Sequence, residues 1–267
     1  MKLIKPSFSI IEQQAGLEGV YKQIERAGRV SHKSEDGITE NSAKTFVERM
    51  MKMKHLSTCE FGTVYLRIDN SNDIVLVLNL NPYTKCKQVQ DTCYVTTNLR
   101  VLIEHDAMWL LKYLCEPTEY HYKRYTVKFI CDRAILAEFT RHRKFSFMAE
   151  SSRYCNYSKD KFDNELTFIM PCWLTGGMKS NLTYLEWETT LQEIEKSYLM
   201  LTKNGWKAEE ARSILPLSLK TELYMCGFAE DWENFFKLRT APNAHPQARE
   251  LAIPLKEEFI KKSYITE

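Results

Sequence analysis

Residues 141–159 read RHRKFSFMAESSRYCNYSK, and how this stretch is punctuated decides how the chain on either side of it folds. Immediately upstream, residues 126–131 have the composition of a strand, and Asp132 is placed to cap a helix running to about Arg141. Two permanent cations and an imidazole, Arg141, Arg143 and His142, therefore fall where a helix ends, and Arg153 follows ten residues after Arg143. Guanidinium forks fit carboxylate and phosphate bidentately, and Ser146, Ser151 and Ser152 add hydroxyls among them. A solvated basic helix end, with cations complementing the dipole, has the same composition. Phe145, Phe147, Tyr154 and Tyr157 also interleave with the cations as stacking platforms for single-stranded RNA do. A formal charge of only +2 weighs against that reading, and no RRM, KH or zinc-knuckle pattern surrounds the segment.

Outward from this stretch, helices and strands mix without strict alternation. Phe8 and Ile10 alternate with polar neighbours as in a short edge strand, and residues 17–30 have helical spacing through Val20, Ile24 and Ala27. After the turn-rich residues 31–39, Thr39 is placed to cap a helix with the stripe Ala43, Phe46, Val47, Met50 and Met51. Residues 63–68 and 74–80, separated by DNSND, read as a hairpin, and residues 93–97 as a further strand. Residues 99–114, 182–203, the stretch from 206 to Pro216, 231–239 and 246–262 read as helices, with Pro254 bending or ending a turn of the last. No repeat and no linker is visible. The expected class is α+β, a largely antiparallel sheet with flanking helices, folded as a single domain over residues 1–267.

Composition narrows the function. At 44% hydrophobic and 27% charged residues, with 9 Gly and 8 Pro in 267 residues, the chain is neither disordered nor fibrous. Lys and Arg total 37 against 35 Asp and Glu, so no global field draws nucleic acid and any anion site needs local arginines. No 18-residue apolar run is present, and Lys5, Pro6 and Ser7 interrupt any signal-peptide core, so neither secretion nor membrane insertion is expected. Eight cysteines without a C-x-x-C pair read as free thiols in a reducing cytoplasm. The six histidines form no H-E-x-x-H and no zinc-type spacing with cysteine, so no metal is expected.

The spacing Arg141-His142-Arg143, seven residues, then Ser151, continuing to Arg153 and Tyr154 with Ser146 in register, resembles the signature of the flavin-dependent thymidylate synthases, the ThyX family. RVSH (29–32) resembles the family's A-R-x-S segment, and HLSTCE (55–60) its histidine, hydroxyl residue and glutamate. Downstream, EEARSILPLSLKT (209–221) resembles its A-R-x-x-L-P helix, and ENFFKLR (233–239) its N-F-x-x-L-R segment. Departures mark a divergent branch. Met148 and Ala149 stand where the family has Asn-Glu, with a glutamate displaced to Glu150; Glu138 replaces a glutamine, Phe61 a histidine and Phe228 an asparagine. Residues 65–125 are longer than in compact members, which implies an inserted hairpin or helix.

The resemblance implies conversion of dUMP to dTMP, with methylenetetrahydrofolate as carbon donor, NADPH-reduced FAD as hydride source and no cysteine nucleophile. It implies a cytoplasmic homotetramer with sites shared between subunits, and no nucleic-acid or membrane partner. The resemblance assigns Arg239 the catalytic role against the pyrimidine. It implies that Arg141, Ser151, Ser152, Arg153 and Arg212 bind the nucleotide and that Glu138 or Glu150 does for the pyrimidine what the Asn-Glu pair does in other members. Glu138 is preferred, because a helix ending near Arg141 puts the two on one face. Ser31, His55, Ser57, Glu60, Arg141, His142, Arg143 and Asn234 are implied flavin contacts; with no G-x-G-x-x-G loop, arginines must hold the pyrophosphate. The reading from another class is a non-catalytic nucleotide- or RNA-binding protein on the same fold.

Overall fold

A nine-residue run in which alternate side chains are apolar, RYTVKFICD, forms the strand on which the fold is centred. In the computed structural model, which describes residues 1–78, 81, 83–175 and 181–266, the first half of the chain contains β1 (Lys2–Ile4), β2 (Ser7–Ile11), α1 (Gly16–Arg29), α2 (Ser42–Lys52), β3 (Thr63–Ile68), α3 (Ser71–Leu78), β4 (Lys85–Val89), β5 (Thr92–Asn98) and α4 (Leu99–Glu104). The second half contains β6 (Arg124–Asp132), α5 (Arg133–Phe139), β7 (Ser146–Ala149), β8 (Thr167–Ile169), α6 (Cys172–Thr175), α7 (Asn181–Lys203), α8 (Ala208–Ala211), β9 (Lys220–Phe228), α9 (Ala229–Arg239) and α10 (Pro246–Lys261). The main sheet has the order β2-β6-β9-β7 and is antiparallel throughout. A second antiparallel sheet has the order β3-β5-β4, and β1 pairs parallel with β8. The expected α+β class with antiparallel sheets is what the chain adopts.

Side chains on successive residues of a strand face opposite ways, and the two faces of the main sheet have different covers. Val127, Phe129 and Cys131 of β6 join Leu223 and Met225 of β9 under α5, α9 and α10, whose Phe139, Trp232, Phe235, Phe236 and Phe259 are almost wholly buried. Each phenyl ring removed from water contributes about 1.5–3 kcal/mol, so the last turn of α9 is held rigidly against the end of α5. On the other face Tyr224 and Cys226 meet Ala27, Val30 and Phe61. The second sheet shares a separate core with α1 and α2 through Val64, Leu66, Val95, Ile24 and Phe46. Gly19 is required where α1 passes the β2–α1 connection, because a Cβ there would lie 1.9 Å from the Gln14 carbonyl oxygen.

Several elements stand where the sequence puts them: β2 is an edge strand, β3 spans 63–68, α1 covers the predicted stripe, and Asp132 caps α5 by accepting the Ile135 N–H at 2.8 Å. The predicted hairpin does not form. Residues 71–78 are helical, and β3 pairs instead with β5, from Thr63↔Asn98 to Ile68↔Cys93; residues 79 and 80 lie outside the described residues. The run IVLVL has no period of its own, and burial of Ile74 and Val77, three apart, against the second sheet selects the helix.

Thr39 does not cap α2; its N–H donates to the Ser42 hydroxyl at 2.8 Å, and the helix begins at Ser42. The predicted helix over 99–114 breaks after Glu104, where Asp106 takes φ +52° and a 3-10 turn follows over Met108–Tyr113. After Trp206 only the four residues of α8 are α-helical before a 3-10 turn at Arg212–Ile214. Pro254 lies inside an unbroken α10. No disulfide joins the cysteines among the described residues. Among the described residues no helix is long and apolar enough to cross a membrane.

Candidate active site

The site starts from the way α9 is pinned. The Phe228 N–H donates to the Asp231 carboxylate at 3.0 Å, fixing the first turn, while Trp232, Phe235 and Phe236 bury one face. Arg239, the last residue of this helix, is thereby delivered to the end of α5. Its Nε donates to His142 Nε2 at 2.9 Å, its Nη1 to Glu138 Oε2 at 2.5 Å and its Nη2 to the Glu138 carbonyl at 2.5 Å. Burial, followed by the charge of Arg239, lowers the His142 pKa from 6.5 to about 4. The imidazole is thus neutral at pH 7, with Nε2 as acceptor and the proton on Nδ1. The expectation that Glu138 shares a face with Arg141 is not met: α5 ends at Phe139, the three-residue helical relation lapses, and Glu138 pairs with Arg239 while Arg141 is exposed.

A second patch forms where β7 leads into the serine loop. The Ser151 N–H donates to the Ser31 carbonyl at 3.1 Å, and the Ser31 hydroxyl bonds the Gly28 carbonyl and His32 Nδ1. His32 stacks on Tyr154 with centroids 4.2 Å apart, and the Arg153 guanidinium lies 5.3 Å from the same ring centroid. Arg153 also reaches Glu209 at 3.4 Å, and Glu209 lies in α8, which leads into the turn carrying Arg212. The fold thus gathers Ser31, Ser151, Arg153 and the Arg212 segment, which are far apart in the chain, with Ser152 buried beside them.

Glu150 faces inward. It is 1% exposed; its Oε1 accepts from the Tyr157 hydroxyl at 3.0 Å and its Oε2 from Lys220 at 2.8 Å. Lys220 also bonds Glu222, which receives Lys33 and Lys128 as well. Burial alone would raise the Glu222 carboxyl, but Lys220, Lys128 and Lys33 outweigh it and hold the pKa at about 2. No single segment carries this network. Its one local trace is the pair Lys220 and Glu222 at period two, the two charged residues of an otherwise uncharged strand.

Of the residues that the resemblance assigns to the flavin, His55 and Ser57 are exposed. Glu60 accepts from Arg100 Nη1 at 2.5 Å, and its carbonyl accepts from Arg124 Nη1 and Nη2, both at 3.1 Å. A cleft of about 180 Å³ brings Glu60 and Arg100 alongside Phe145 and Ser146. Arg141, Arg143 and Asn234 are exposed. Among the described residues no hydrogen bond or ion pair joins the side chains of His55, Ser57 or Asn234 to the arginine triplet. Three departures have packing reasons. Met148 and Phe61 fill the core under α1, and buried Phe228 lies under the Lys85 ammonium, 4.4 Å from its ring centroid.

Residues 116–263 match the family described as Thymidylate synthase complementing protein, Thy1, and this span holds β6 to α10 with Arg239, His142 and Glu138. The chain belongs to this family. Its curated relatives are flavin-dependent thymidylate synthases, as the motif resemblance implied. The enzyme of Pyrococcus abyssi is 28% identical over 132 residues, 49% of this chain and 52% of that protein. The probable enzyme of Paramecium bursaria Chlorella virus 1 is 30% identical over 150 residues, 51% of this chain and 66% of that protein. The chain spans about half the length of the curated relatives it matches. A solved UMP/dUMP methylase, PolB from Streptomyces cacaoi, bound with 5-Br dUMP, aligns over 98% of this chain and 93% of its own at 17% identity and a TM-score of 0.49, too loose a likeness to add to the assignment. The Thy1 match does not include Ser31, His55, Ser57 and Glu60, which lie in the first half of the chain.

Proposed function

We propose that the chain is a flavin-dependent thymidylate synthase that methylates C5 of dUMP with the one-carbon unit of methylenetetrahydrofolate. The observation that carries this reading is the Arg239 guanidinium, held at three points by His142 and Glu138. A cation fixed before reaction stabilises negative charge developing on a pyrimidine without reorganising at that moment. His142 supports it as a neutral acceptor, so no second charge competes with Arg239 for the base. Ser151, Ser152, Arg153 and Arg212 take the 5′-phosphate, with Arg141 beside them.

FAD, reduced by NADPH, would supply the hydride. The donor set fits its pyrophosphate, because Arg141 and Arg143 are exposed and have no carboxylate partner among the described residues. Ser31, His55, Ser57, Glu60, His142 and Asn234 are the other flavin contacts that the resemblance implies. Cysteine chemistry is disfavoured at Cys155 and Cys59: burial pushes the Cys155 thiol up to about 12 and the Cys59 thiol up to about 11, far from a reactive thiolate. His55, Ser57 and Asn234, whose side chains no hydrogen bond or ion pair joins to the nucleotide-side residues among the described residues, are in keeping with a homotetramer whose sites are shared between subunits.

Purified protein tests this directly. A yellow flavin spectrum bleached by NADPH, with thymidylate formed from dUMP and methylenetetrahydrofolate, is expected. Colourless protein that FAD does not reconstitute would move the reading to a non-catalytic nucleotide- or RNA-binding protein.

A further inference from the structure

A cavity of about 350 Å³ lies between the β2–α1 connection, β3, the start of β6 and Tyr264, and none of Arg239, His142, Glu138 or the serine loop lines it. Gln23 of α1 and Thr126 of β6 both line this cavity, and each is 4% exposed. Neither side chain has a hydrogen-bond partner among the described residues, although buried amides and hydroxyls are almost always paired. Gln13, on the same wall, shows the contrast: its amide is spent on the Thr63 backbone, donating and accepting at 2.8 Å. The remaining wall is apolar and aromatic, with Val20, Leu114 and Tyr65 facing Tyr125, which stacks on Tyr264 at 4.0 Å and 17°.

The charged groups at the cavity are already engaged or cancel. Arg124 gives its guanidinium to the Glu60 carbonyl and the Thr63 hydroxyl, and Lys123 donates to the Thr118 carbonyl. Glu12 accepts from Lys262 and the Tyr264 hydroxyl, and Glu116 is an exposed carboxylate at the rim. No free cationic fork is left for a phosphate. What the cavity offers is one amide donor, one amide acceptor, a hydroxyl and aromatic faces. That set is complementary to adjacent N–H and C=O groups on a flat ring. The volume is at the lower end of the ~300–1,000 Å³ typical of small-molecule sites, enough for a base with its sugar and too small for a dinucleotide.

We propose that this cavity binds a neutral planar heterocycle with a lactam edge, a nucleobase or a nucleoside without its phosphate. The site is independent of the flavin reading.

Calorimetric titration of the full chain with thymine, thymidine, guanosine and adenosine tests it. At least one of the three lactam compounds is expected to saturate below about 1 mM, with adenosine, which lacks the lactam edge, at least ten-fold weaker. Thymine binding as well as thymidine assigns the recognition to the base, and a clear preference for thymidine assigns part of it to the sugar; both support the site. Gln23→Leu and Thr126→Val should each weaken binding about ten-fold or more, the loss of one good hydrogen bond, while Arg239→Ala leaves it unchanged. Gln23→Leu should melt no lower than the parent, because the Gln23 amide, which lines the cavity, has no hydrogen bond within the chain to lose. Near-isosteric Thr126→Val keeps the test available if Gln23→Leu fails to fold. The proposal is overturned if no lactam compound binds saturably up to about 5 mM, which would leave the cavity to water. It is also overturned if neither cavity substitution changes the affinity, or if Arg239→Ala abolishes binding and so places the ligand in the nucleotide site.

Discussion

Glu138 and Glu150 lie on either side of β7 and hold cations under opposite conditions. The Glu138 side chain is 37% exposed and pairs with Arg239 at the rim, whereas that of Glu150 is 1% exposed and pairs with Lys220 in the interior. A partly solvated pair adds little to stability, about 0–1 kcal/mol, but it can still aim a guanidinium. Removing one partner of a buried pair leaves an uncompensated charge and costs about 3–5 kcal/mol. On the proposed function the same residue type serves the chemistry at one place and the fold at the other, and the surroundings decide which.

The largest expected effect comes from the cation that Glu138 aims. Arg239→Ala should abolish thymidylate formation while FAD stays bound, and Arg239→Lys should remain poor because a point charge cannot copy the planar fork. Wild-type turnover in either variant would break the assignment. Next is Glu150→Ala, which should lower unfolding stability in urea by about 3–5 kcal/mol. If Glu138→Ala lowers it by as much, the contrast between the two carboxylates is wrong.

Acid titration sharpens the comparison further. Folded Glu222 binds its proton only near pH 2, below its ordinary 4.5, so the stability it confers is present above about 4.5 and is lost as pH falls through 2. His142 titrates near 4 when folded against 6.5 ordinarily, so the unfolded chain binds more protons and stability falls as pH drops from 6.5 to 4. Urea midpoints measured across pH should lose the upper slope in His142→Asn and the lower one in Glu222→Gln. A slope over 4–6.5 that persists in His142→Asn would mean the neutral imidazole is not its source. The smallest effect is Glu138→Ala: about ten-fold weaker dUMP binding, flavin content little changed and stability lowered by under about 1 kcal/mol. Unchanged affinity there would show that Arg239 is oriented by His142 alone.

Much of the molecule was legible where local chemistry is decisive. The stripe Val20, Ile24 and Ala27 marks α1, Asp132 announces the start of α5, and Arg239 ends a helix whose Phe235 and Phe236 belong to the core. Each depends on neighbours within about one helical turn, which sequence spacing reports directly. The arginine and serine residues of 141–153 likewise carry, in their own side chains, the donors an anion site needs. Only the tertiary structure decided that residues 74–78 are helical, since that apolar run takes its form from the sheet it packs on. It alone decided that Glu138 holds Arg239, 101 residues away, and that Glu150 meets Lys220, 70 residues away, while Lys33 crosses 189 residues to Glu222. Pairings at such separations leave no period in the chain, because each side chain's partner is chosen by the packing of sheet and helices after they have formed.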